Sequence, residues 1–333
     1  MVMVQDKKLN IDKTDNLYLG IDVGSVSTKF AIINDHMELL YSTWARSGGS
    51  PINSVQNGFK KMSEEFYNYE SQIKAVGTTG SARYLTKALA GADIAKTEII
   101  AHGVAASYYV PNLKTILEIG GQDSKVILLN DGIIIDFAMN SICAAGTGSF
   151  LDHQAHRLGI PIEEFGSYAN KSKTDVVIAG RCTVFAESDM IHKQQMGHSK
   201  ADIIRGLCNS LVRNYLNNVC KGKKILPPVT FQGGVAANSG IKKSFEEHLG
   251  FEIIVHENFL TMGAIGAAML AREHLSINDT PTTFKGFNVG DMKFIPKAFN
   301  CGDCPNQCEI TYVEDGEGEI IARWGDRCGK WTL

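Results

Sequence analysis

The sequence has no excess of basic residues and no long apolar run. Its 333 residues contain 33 lysines and arginines against 36 aspartates and glutamates, so nothing favours nucleic acid as a partner. No apolar stretch reaches the roughly 18 residues that a membrane span requires, and no membrane association is expected. Residues 1–16 are polar, lack the apolar core of a signal peptide, and are expected to form a flexible tail.

Cysteine, by contrast, is present at eight positions without a secretory signal. That combination favours a reducing compartment, the cytoplasm, with thiols or metal ligands rather than disulfides. Cys208 lies on the apolar stripe of a predicted helix over 201–219 and is most simply a core residue. Cys220 is most simply a thiol at the end of that helix. The chain length suits a soluble globular protein of one large or two medium domains.

The stretch 17–35 has the pattern of a strand, a glycine-containing turn and a second strand. Such a turn exposes backbone N–H groups and hydroxyls to a phosphate. Asp22 at the mouth of the turn is suited to hold Mg²⁺, directly or through water. Taken alone, an ordinary hairpin is an equally good interpretation. The candidate phosphate ligands are Gly24, Ser25, Ser27, Thr28 and Lys29.

The stretch 118–131 repeats this pattern without gaps. Two equivalent hairpins far apart in the chain predict two domains of like topology whose turns face each other across a cleft for a nucleoside triphosphate. The matching pairs are Asp22 and Glu118, Gly24 and Gly120, Thr28 and Ser124, and Lys29 and Lys125.

A third element, 227–240, has the pattern of a strand, a double glycine and a helix. Gly233 and Gly234 would let the backbone lie flat against a planar ring, and the helix start near Asn238 could hydrogen-bond ribose or phosphate. A double glycine alone is a weak signal. Following two phosphate-type turns, it is a candidate for the adenosine side of a nucleotide site.

The stretch 140–187 contains two cysteines, each predicted to open a helix beside small residues. Cys143 precedes Ala-Ala-Gly-Thr-Gly, and Cys182 precedes Thr-Val-Phe-Ala-Glu. A helix N-terminus is electropositive and favours a thiolate, as a metal cluster requires. Two cysteines are half of a four-thiolate site, which a second chain related by a twofold axis would complete. Spacing alone favours the simpler interpretation, two small buried apolar residues.

Other segments carry weaker predictions. Ranges 51–69 and 262–271 are expected to be helices, the second with small residues suited to tight packing on the first domain, and 176–179 and 253–255 are expected to be strands. Glu98 and His102 are expected to form a pair on a helix surface. His192 and His198 are expected to be solvated rather than to bind metal.

The C-terminal region has four cysteines, two of them at the ends of a predicted hairpin. A C-x2-C-x3-C pattern with a fourth cysteine returned by a hairpin is typical of a four-thiolate site. Structural zinc, a second iron–sulfur cluster and unligated thiols all remain open. These cysteines are Cys301, Cys304, Cys308 and Cys328.

Together these motifs resemble a known family, the activators of 2-hydroxyacyl-CoA dehydratases, which includes ATPase subunits of benzoyl-CoA reductase and reductases of double-cubane-cluster proteins. The resemblance covers about 17–271 and implies an α/β chain of two actin-like domains, the acetate kinase, sugar kinase, heat-shock and actin fold, around a nucleotide cleft. It also implies a homodimer bridged by one [4Fe–4S] cluster, held by Cys143 and Cys182 of each chain. The C-terminal region resembles a segment of larger relatives.

The resemblance leads to the hypothesis of ATP-driven electron transfer. Reduced ferredoxin or flavodoxin would load the cluster, and ATP hydrolysis would lower its potential for transfer to a partner iron–sulfur enzyme. Asp22 and Asp123 would position Mg²⁺ and water, and Glu187 would link the cluster helix to the nucleotide cleft. A small-molecule kinase and a nucleotide-gated binding protein are the alternatives. The nucleotide ligands of the second turn would be Gly120, Gly121, Gln122, Ser124 and Lys125.

The predicted boundaries follow from these motifs. Residues 17–112 with a returning helix at 261–275 form the first domain, and 113–260 form the second domain with the cluster cysteines. Residues 276–333 are expected to be a cysteine-rich C-terminal extension.

Overall fold

The computed structural model describes residues 11, 15–140 and 143–331, and in it the chain divides into two α/β units. Unit 1 contains the residues up to Ala101 and those from Gly263 onward, and unit 2 contains His102–Met262. No helix in the described ranges is long and apolar enough to cross a membrane. The strands are β1 (Leu17–Val23), β2 (Ser27–Asn34), β3 (Leu39–Arg46), β4 (Ile73–Thr79), β5 (Ile94–Ala95), β6 (Thr115–Ile119), β7 (Ser124–Asn130), β8 (Ile133–Asn140), β9 (Val229–Gln232), β10 (Ile295–Asn300), β11 (Glu309–Glu314) and β12 (Ile320–Trp324). The α-helices are α1 (Pro51–Phe66), α2 (Arg83–Ala90), α3 (Glu98–Tyr109), α4 (Gly148–Leu158), α5 (Phe165–Ala169), α6 (Thr183–Gln195), α7 (Lys200–Asn218), α8 (Ser239–Leu249) and α9 (Met262–Asn278).

A five-stranded sheet in the order β3-β2-β1-β4-β5 lies at the centre of unit 1. β1 pairs antiparallel with β2 and parallel with β4, and every residue of β1 is buried. α1 begins at Pro51, and the side chain of Ser50 before it accepts a hydrogen bond from the Asn53 N–H. The predicted apolar face of α1 is buried, which confirms the helical spacing: Val55, Phe59, Met62 and Phe66.

α9 packs on the sheet of unit 1 at backbone distance. Neither Gly20 on β1 nor Gly77 on β4 has room for a Cβ atom, because the carbonyl oxygens of Ala264 and Ala267 on α9 occupy that space. The tight packing predicted for this helix is therefore confirmed, and its small residues are what permit it.

The C-terminal region shares the core of unit 1. Phe287, Val289 and Val313 are buried in the same apolar cluster as Phe59. β10, β11 and β12 form a three-stranded sheet of their own in chain order. The predicted hairpin is present, and its turn is closed by the Asp315 N–H donating to the Glu319 carbonyl at 2.9 Å.

Unit 2 is built on a four-stranded sheet in the order β8-β7-β6-β9. α7 is its central helix, and the apolar face predicted for it is completely buried. β8 forms one edge of the sheet and exposes alternate apolar side chains: Ile133, Ile135, Phe137 and Met139.

Two predicted strands of unit 2 are wrong. Residues 176–179 join no strand in the described structure, because side chains take up their backbone groups, as when Ser210 on α7 donates to the Ala179 carbonyl at 2.6 Å. Residues 253–255 form a single bridge, between Thr230 and Ile254, rather than a strand.

Candidate functional site

The turn between β1 and β2 is closed by the Gly24 N–H donating to the Ser27 carbonyl at 3.0 Å. Ser25 at its tip is exposed. The register places Asp22 opposite Lys29, and the Lys29 Nζ lies 3.0 Å from the Asp22 Oδ2. Asp22 is only 5% exposed, so the turn holds a buried carboxylate next to a cation from its own hairpin.

The Thr28 hydroxyl lies inside unit 1 instead of at the surface of the turn. Its Oγ1 accepts a hydrogen bond from the Ser54 Oγ at 2.5 Å and lies 3.2 Å from the Ser47 Oγ. The Ser47 hydroxyl in turn donates to the Gly24 carbonyl at 3.2 Å. Thr28 therefore supports the turn from within, and a phosphate contact by its hydroxyl would require these bonds to open.

Gly80 lies beside Asp22 at the first turn, and sequence reasoning missed it. It follows β4 with φ of +88°, and a Cβ atom there would lie 2.6 Å from the Asp22 Oδ1. Only glycine fits this conformation and this close approach to a carboxylate. α2 begins three residues later, at Arg83, and a glycine directly after a strand was the signal available in the sequence.

The turn between β6 and β7 repeats the geometry of the first. The Gly120 N–H donates to the Asp123 carbonyl at 3.0 Å, and Glu118 lies opposite Lys125 in register. The Lys125 Nζ lies 3.1 Å from the Glu118 Oε2 and 2.8 Å from the Asp123 Oδ2. Two carboxylates face one ammonium group, and the Asp123 side chain is 35% exposed. The turn therefore keeps an excess negative charge close to solvent.

Both lysines predicted to bind phosphate are thus engaged by carboxylates of their own hairpins. Lys125 is 3% exposed, and a phosphate would have to compete with its ion pairs. Ser124, the other predicted ligand on β7, is completely buried, and its hydroxyl has no hydrogen-bond partner in the part of the chain that the structure describes. Gln122 at the tip of the turn is exposed.

The first turn of α4 is hydrogen-bonded to this second hairpin turn. The Gly148 N–H donates to the Gly120 carbonyl at 2.9 Å, and the Ser149 N–H donates to the Gly121 carbonyl at 2.8 Å. The Ser149 hydroxyl also donates to the Gly121 carbonyl, at 2.6 Å. A displacement of the turn would therefore be transmitted directly to α4.

Cys143 lies just before α4 and is exposed. It caps a short 3₁₀ turn, Ala144–Gly146, while α4 itself begins later, so the predicted helix start is right only for that short turn. Asn140 on β8 brackets Cys143: its Oδ1 accepts from the Cys143 N–H at 3.0 Å, and its Nδ2 donates to the Cys143 carbonyl at 2.8 Å. Asn140 pairs in register with Ser124, which joins the thiol to the second hairpin.

Cys182 is the N-cap of α6, as predicted, and its side chain is partly exposed. The next turn exposes two apolar side chains, Val184 at 66% and Phe185 at 64%. Cys182 is therefore followed by two apolar side chains that face solvent.

Glu187 connects α6 to α4. Its Oε1 forms an ion pair with Arg157, and its Oε2 lies 3.7 Å from the His153 Nδ1. The two helices that follow the cysteines are therefore linked to each other by an exposed ion pair, of the kind that contributes less than about 1 kcal/mol. Glu187 was predicted to link the cluster helix to the nucleotide cleft. The contacts that the structure shows for it are with α4.

The double glycine lies at the end of β9. Gly233 has φ of +88°, and a Cβ atom on Gly234 would meet nothing within 4 Å, so that face of the backbone is open to a planar ring. The Asn238 Oδ1 accepts from the Gly240 N–H at 3.0 Å and the Ile241 N–H at 3.1 Å. Asn238 therefore caps α8.

The expected pair of Glu98 and His102 is not formed as predicted. The His102 Nδ1 lies 2.8 Å from the Gln232 Nε2, next to the double glycine. Glu98 lies 4.0 Å from the Arg83 Nη1. His102 is 7% exposed, so it belongs to a buried polar contact of unit 2 and not to a solvated helix face.

The C-terminal chain folds back on the loop that contains the first of its cysteines. The Trp331 indole N–H donates to the Cys301 Sγ at 3.3 Å, and Lys330 forms an ion pair with Asp303. Within residues 15–140 and 143–331, no three His, Cys, Asp or Glu side chains are grouped to hold a metal ion. The fold brings the two ends of the cysteine motif together without assembling its four thiols.

The donor chemistry of unit 2 fits the groups expected from the sequence. Cys143 and Cys182 are free thiols that solvent reaches, and Cys182 lies at the N-terminus of α6, where positive potential favours a bound anion. Two thiolates are half the ligand set of a [4Fe–4S] cluster. The partly exposed Asp123 carboxylate is the hard oxygen donor that Mg²⁺ prefers.

Comparison with known proteins finds the family that the sequence motifs resemble. A model described as the BadF/BadG/BcrA/BcrD ATPase family matches residues 19–271. The (R)-2-hydroxyglutaryl-CoA dehydratase activating ATPase of Acidaminococcus fermentans is 35% identical over 254 residues, which cover 76% of this chain and 96% of that protein. The family match ends before the C-terminal cysteines.

Solved structures agree with the predicted fold class. The activator of the 2-hydroxyisocaproyl-CoA dehydratase from Clostridium difficile, with bound ADPNP, superposes with a TM-score of 0.73 at 31% identity, covering 80% of this chain and 97% of that one. A ROK family glucokinase from Streptomyces griseus shares the fold alone, with a TM-score of 0.50 at 10% identity over 78% of this chain and 100% of that one. The actin-like and sugar-kinase α/β fold is therefore confirmed.

Proposed function

The chain belongs to the BadF/BadG/BcrA/BcrD ATPase family, and we propose that its ATP hydrolysis activates a partner enzyme, a dehydratase or reductase of acyl-CoA thioesters. The support is its similarity to a dehydratase activating ATPase and to an activator with bound ADPNP. One observation carries the proposal: the first turn of α4, which follows an exposed cysteine, is hydrogen-bonded to the second glycine turn. A change at the nucleotide phosphates would thereby reach the thiol.

Each turn has a distinct part in nucleotide binding. The backbone of the two turns, exposed at Ser25 and Gln122 and partly exposed at Gly24 and Gly121, would bind phosphate oxygens through N–H groups. Asp123 is the better candidate for holding Mg²⁺ or a bound water, because its hairpin has one more carboxylate than cations. Asp22 would do the same at the first turn if Lys29 released it. Gly233 and Gly234 would take the adenosine side.

The proposed cofactor besides ATP and Mg²⁺ is a [4Fe–4S] cluster shared by two copies of the chain. Cys143 and Cys182 of each copy would supply two thiolates, which completes the set of four only in a homodimer. When bound, the cluster would carry one electron from reduced ferredoxin or flavodoxin to an iron–sulfur partner enzyme in the cytoplasm.

The energetic need for ATP follows from the size of the expected potential shift. For one electron, about 59 mV corresponds to a tenfold change in an equilibrium. Lowering a potential by about 200 mV therefore requires about 5 kcal/mol. In this chain the residues that would transmit that work are Gly148 and Ser149, whose N–H groups bind the second turn.

Iron content is the test that separates this function from a small-molecule kinase of the same fold. Protein purified without oxygen should contain iron and acid-labile sulfide. Cys143→Ala should lose both and still bind nucleotide, whereas Cys208→Ala should retain both, because Cys208 is completely buried in the core. Full iron in Cys143→Ala would remove that cysteine from the ligand set. Wild-type protein without iron that phosphorylates a small molecule would replace the proposal by the kinase.

A second metal, zinc or another cluster, is proposed for the C-terminal cysteines. The contact between Trp331 and Cys301 already holds the returning chain against the first cysteine. Because Phe287 and Val313 belong to the core of unit 1, the test uses Cys304→Ser in the full chain rather than a truncation. Zinc or iron that is present in the wild type and absent from this variant supports the site, and no metal loss contradicts it.

A further inference from the structure

We propose that Asn214 on α7 is a positioning residue that ties the segment before Cys182 to the turn after Cys143, so that both thiols respond to a nucleotide at the second hairpin. The inference deepens the proposed function and rests on it for the identity of the ligand. Asn214 is not one of the residues that sequence reasoning singled out.

The Asn214 side chain touches both cysteine segments. Its Nδ2 donates to the Gly180 carbonyl, two residues before Cys182. Its Oδ1 would lie 3.0 Å from a Cβ atom on Gly146, three residues after Cys143. Asn214 is 3% exposed, so these contacts are made in the interior of unit 2, where one side chain bridges two segments far apart in sequence.

One polar atom of this side chain, the buried Oδ1, makes no hydrogen bond within the described ranges. The Ser124 hydroxyl on β7 is also buried and has no hydrogen-bond partner within the described ranges. It would lie 3.8 Å from a Cβ atom added to Gly146. Buried polar atoms are nearly always paired, and a rearrangement of the Gly146 turn is one way to pair these two.

The segment before Cys182 depends on α7 for its position. It joins no strand in the described structure, and α7 side chains bind three successive carbonyls of it. Besides the Asn214 contact, Ser210 donates to the Ala179 carbonyl and Arg213 donates to the Ile178 carbonyl, each at 2.6 Å. Cys182 is therefore expected to move with α7.

α7 is in turn bound to the second hairpin. The Tyr215 hydroxyl, next in sequence to Asn214, donates to the Lys125 carbonyl on β7 at 2.5 Å. Cys143 has its own links to that hairpin, through α4 and through Asn140. Removing the Asn214 side chain leaves the Ser210 and Arg213 contacts in place, so it should weaken the response of Cys182 to the nucleotide and leave the response of Cys143 unchanged.

The test measures alkylation of each thiol by iodoacetamide in the full-length, iron-free protein, with Mg-ADP or a Mg-bound non-hydrolysable ATP analogue. Mass spectrometry of the two cysteine peptides gives a separate rate for each. Asn209→Ala is the matched control, since Asn209 lies on the same helix and accepts from the Ser244 hydroxyl at 2.7 Å. It loses one hydrogen bond of α7 without touching a cysteine segment.

In the wild type, we expect exchange of ADP for the ATP analogue to change both rates by about fivefold, the weight of one net hydrogen bond. In Asn214→Ala the change at Cys143 should remain and the change at Cys182 should fall to about twofold or less, because one of three contacts is lost, while Asn209→Ala behaves as wild type. Asn214→Asp, which keeps the shape but lacks the donor to Gly180, should give the same result if the alanine variant does not fold.

A full Cys182 response in both Asn214 variants overturns the proposal. A wild type that hydrolyses ATP without any change at either thiol also overturns it, and leaves the ATPase function standing. A wild type that neither binds nor hydrolyses ATP would instead refute the proposed function itself, so the two failures are distinguishable.

Discussion

Replacing Lys125 by methionine tests whether this lysine is a structural cation or a phosphate ligand. Its ammonium lies between the Glu118 and Asp123 carboxylates, and Glu118 is 4% exposed. Methionine preserves most of the volume but removes the ion pair of the buried Glu118 carboxylate with the Lys125 ammonium group. Removing one partner of a buried pair costs about 3–5 kcal/mol, and the partly exposed Asp123 adds little.

The expected effect is a large loss of stability that a second substitution reverses. A loss of about 3 kcal/mol lowers the melting temperature of a unit of this size by roughly 10 °C. Adding Glu118→Gln to Lys125→Met removes the buried charge that the Lys125 ammonium group had balanced, so the double variant should regain most of that loss. Thermal unfolding of the wild type, both single variants and the double variant gives the coupling energy, expected to be about 2 kcal/mol.

Lys114→Met is the control for losing a lysine near the same hairpin, because its contact with Asp131 is largely exposed and should be worth under about 1 kcal/mol. ATP affinity measured by calorimetry completes the experiment. If Lys125→Met melts like the wild type but binds ATP at least about tenfold more weakly, and Glu118→Gln does not restore binding, the lysine is a phosphate ligand and the structural reasoning is refuted.

Three further outcomes are expected. Gly20→Ala would push a Cβ atom into the backbone of α9 and should lower the free energy of unfolding by about 3 kcal/mol or more. Gly302→Ala is the control: a Cβ atom there would meet nothing within 4 Å, so it should change the free energy of unfolding by less than about 0.5 kcal/mol. Burial raises the pKa of the Cys208 and Cys220 thiols to about 12. As pH rises, the unfolded chain therefore loses these protons before the folded chain does. Urea unfolding should show the free energy of unfolding falling above about pH 9. Gly148→Ala would place a Cβ atom 2.9 Å from a carbonyl of the second turn, so calorimetry should show ATP binding weakened by about tenfold.

Each of these has a result that would contradict it. Equal melting of Gly20→Ala and Gly302→Ala would mean that α9 is not packed at backbone distance. Constant stability between about pH 9 and 11 would mean that the two buried thiols titrate like exposed ones. Unchanged ATP affinity in Gly148→Ala would separate α4 from the nucleotide turn.

The sequence by itself determined the features that depend on neighbouring residues. Glycine turns between β-branched runs produced both hairpins with the same closing hydrogen bond, and the apolar spacing of 51–66 produced α1. The repeat of the first hairpin at Glu118 to Asp131, together with the cysteine motifs, was enough to indicate the family. Each of these motifs is formed by residues close together in the chain, so the sequence shows it without the fold.

Only the tertiary structure decided which groups these elements bring together. Lys125 pairs with two carboxylates, and Thr28 bonds to serines from elsewhere in unit 1. Residues 176–179 were predicted as a strand because their apolar pattern is that of one, yet α7 takes up their carbonyls. Asn214 carries no local signal at all, since its role arises from two segments that meet only in the folded chain. A side chain's partners depend on packing between distant residues, and no local pattern records that.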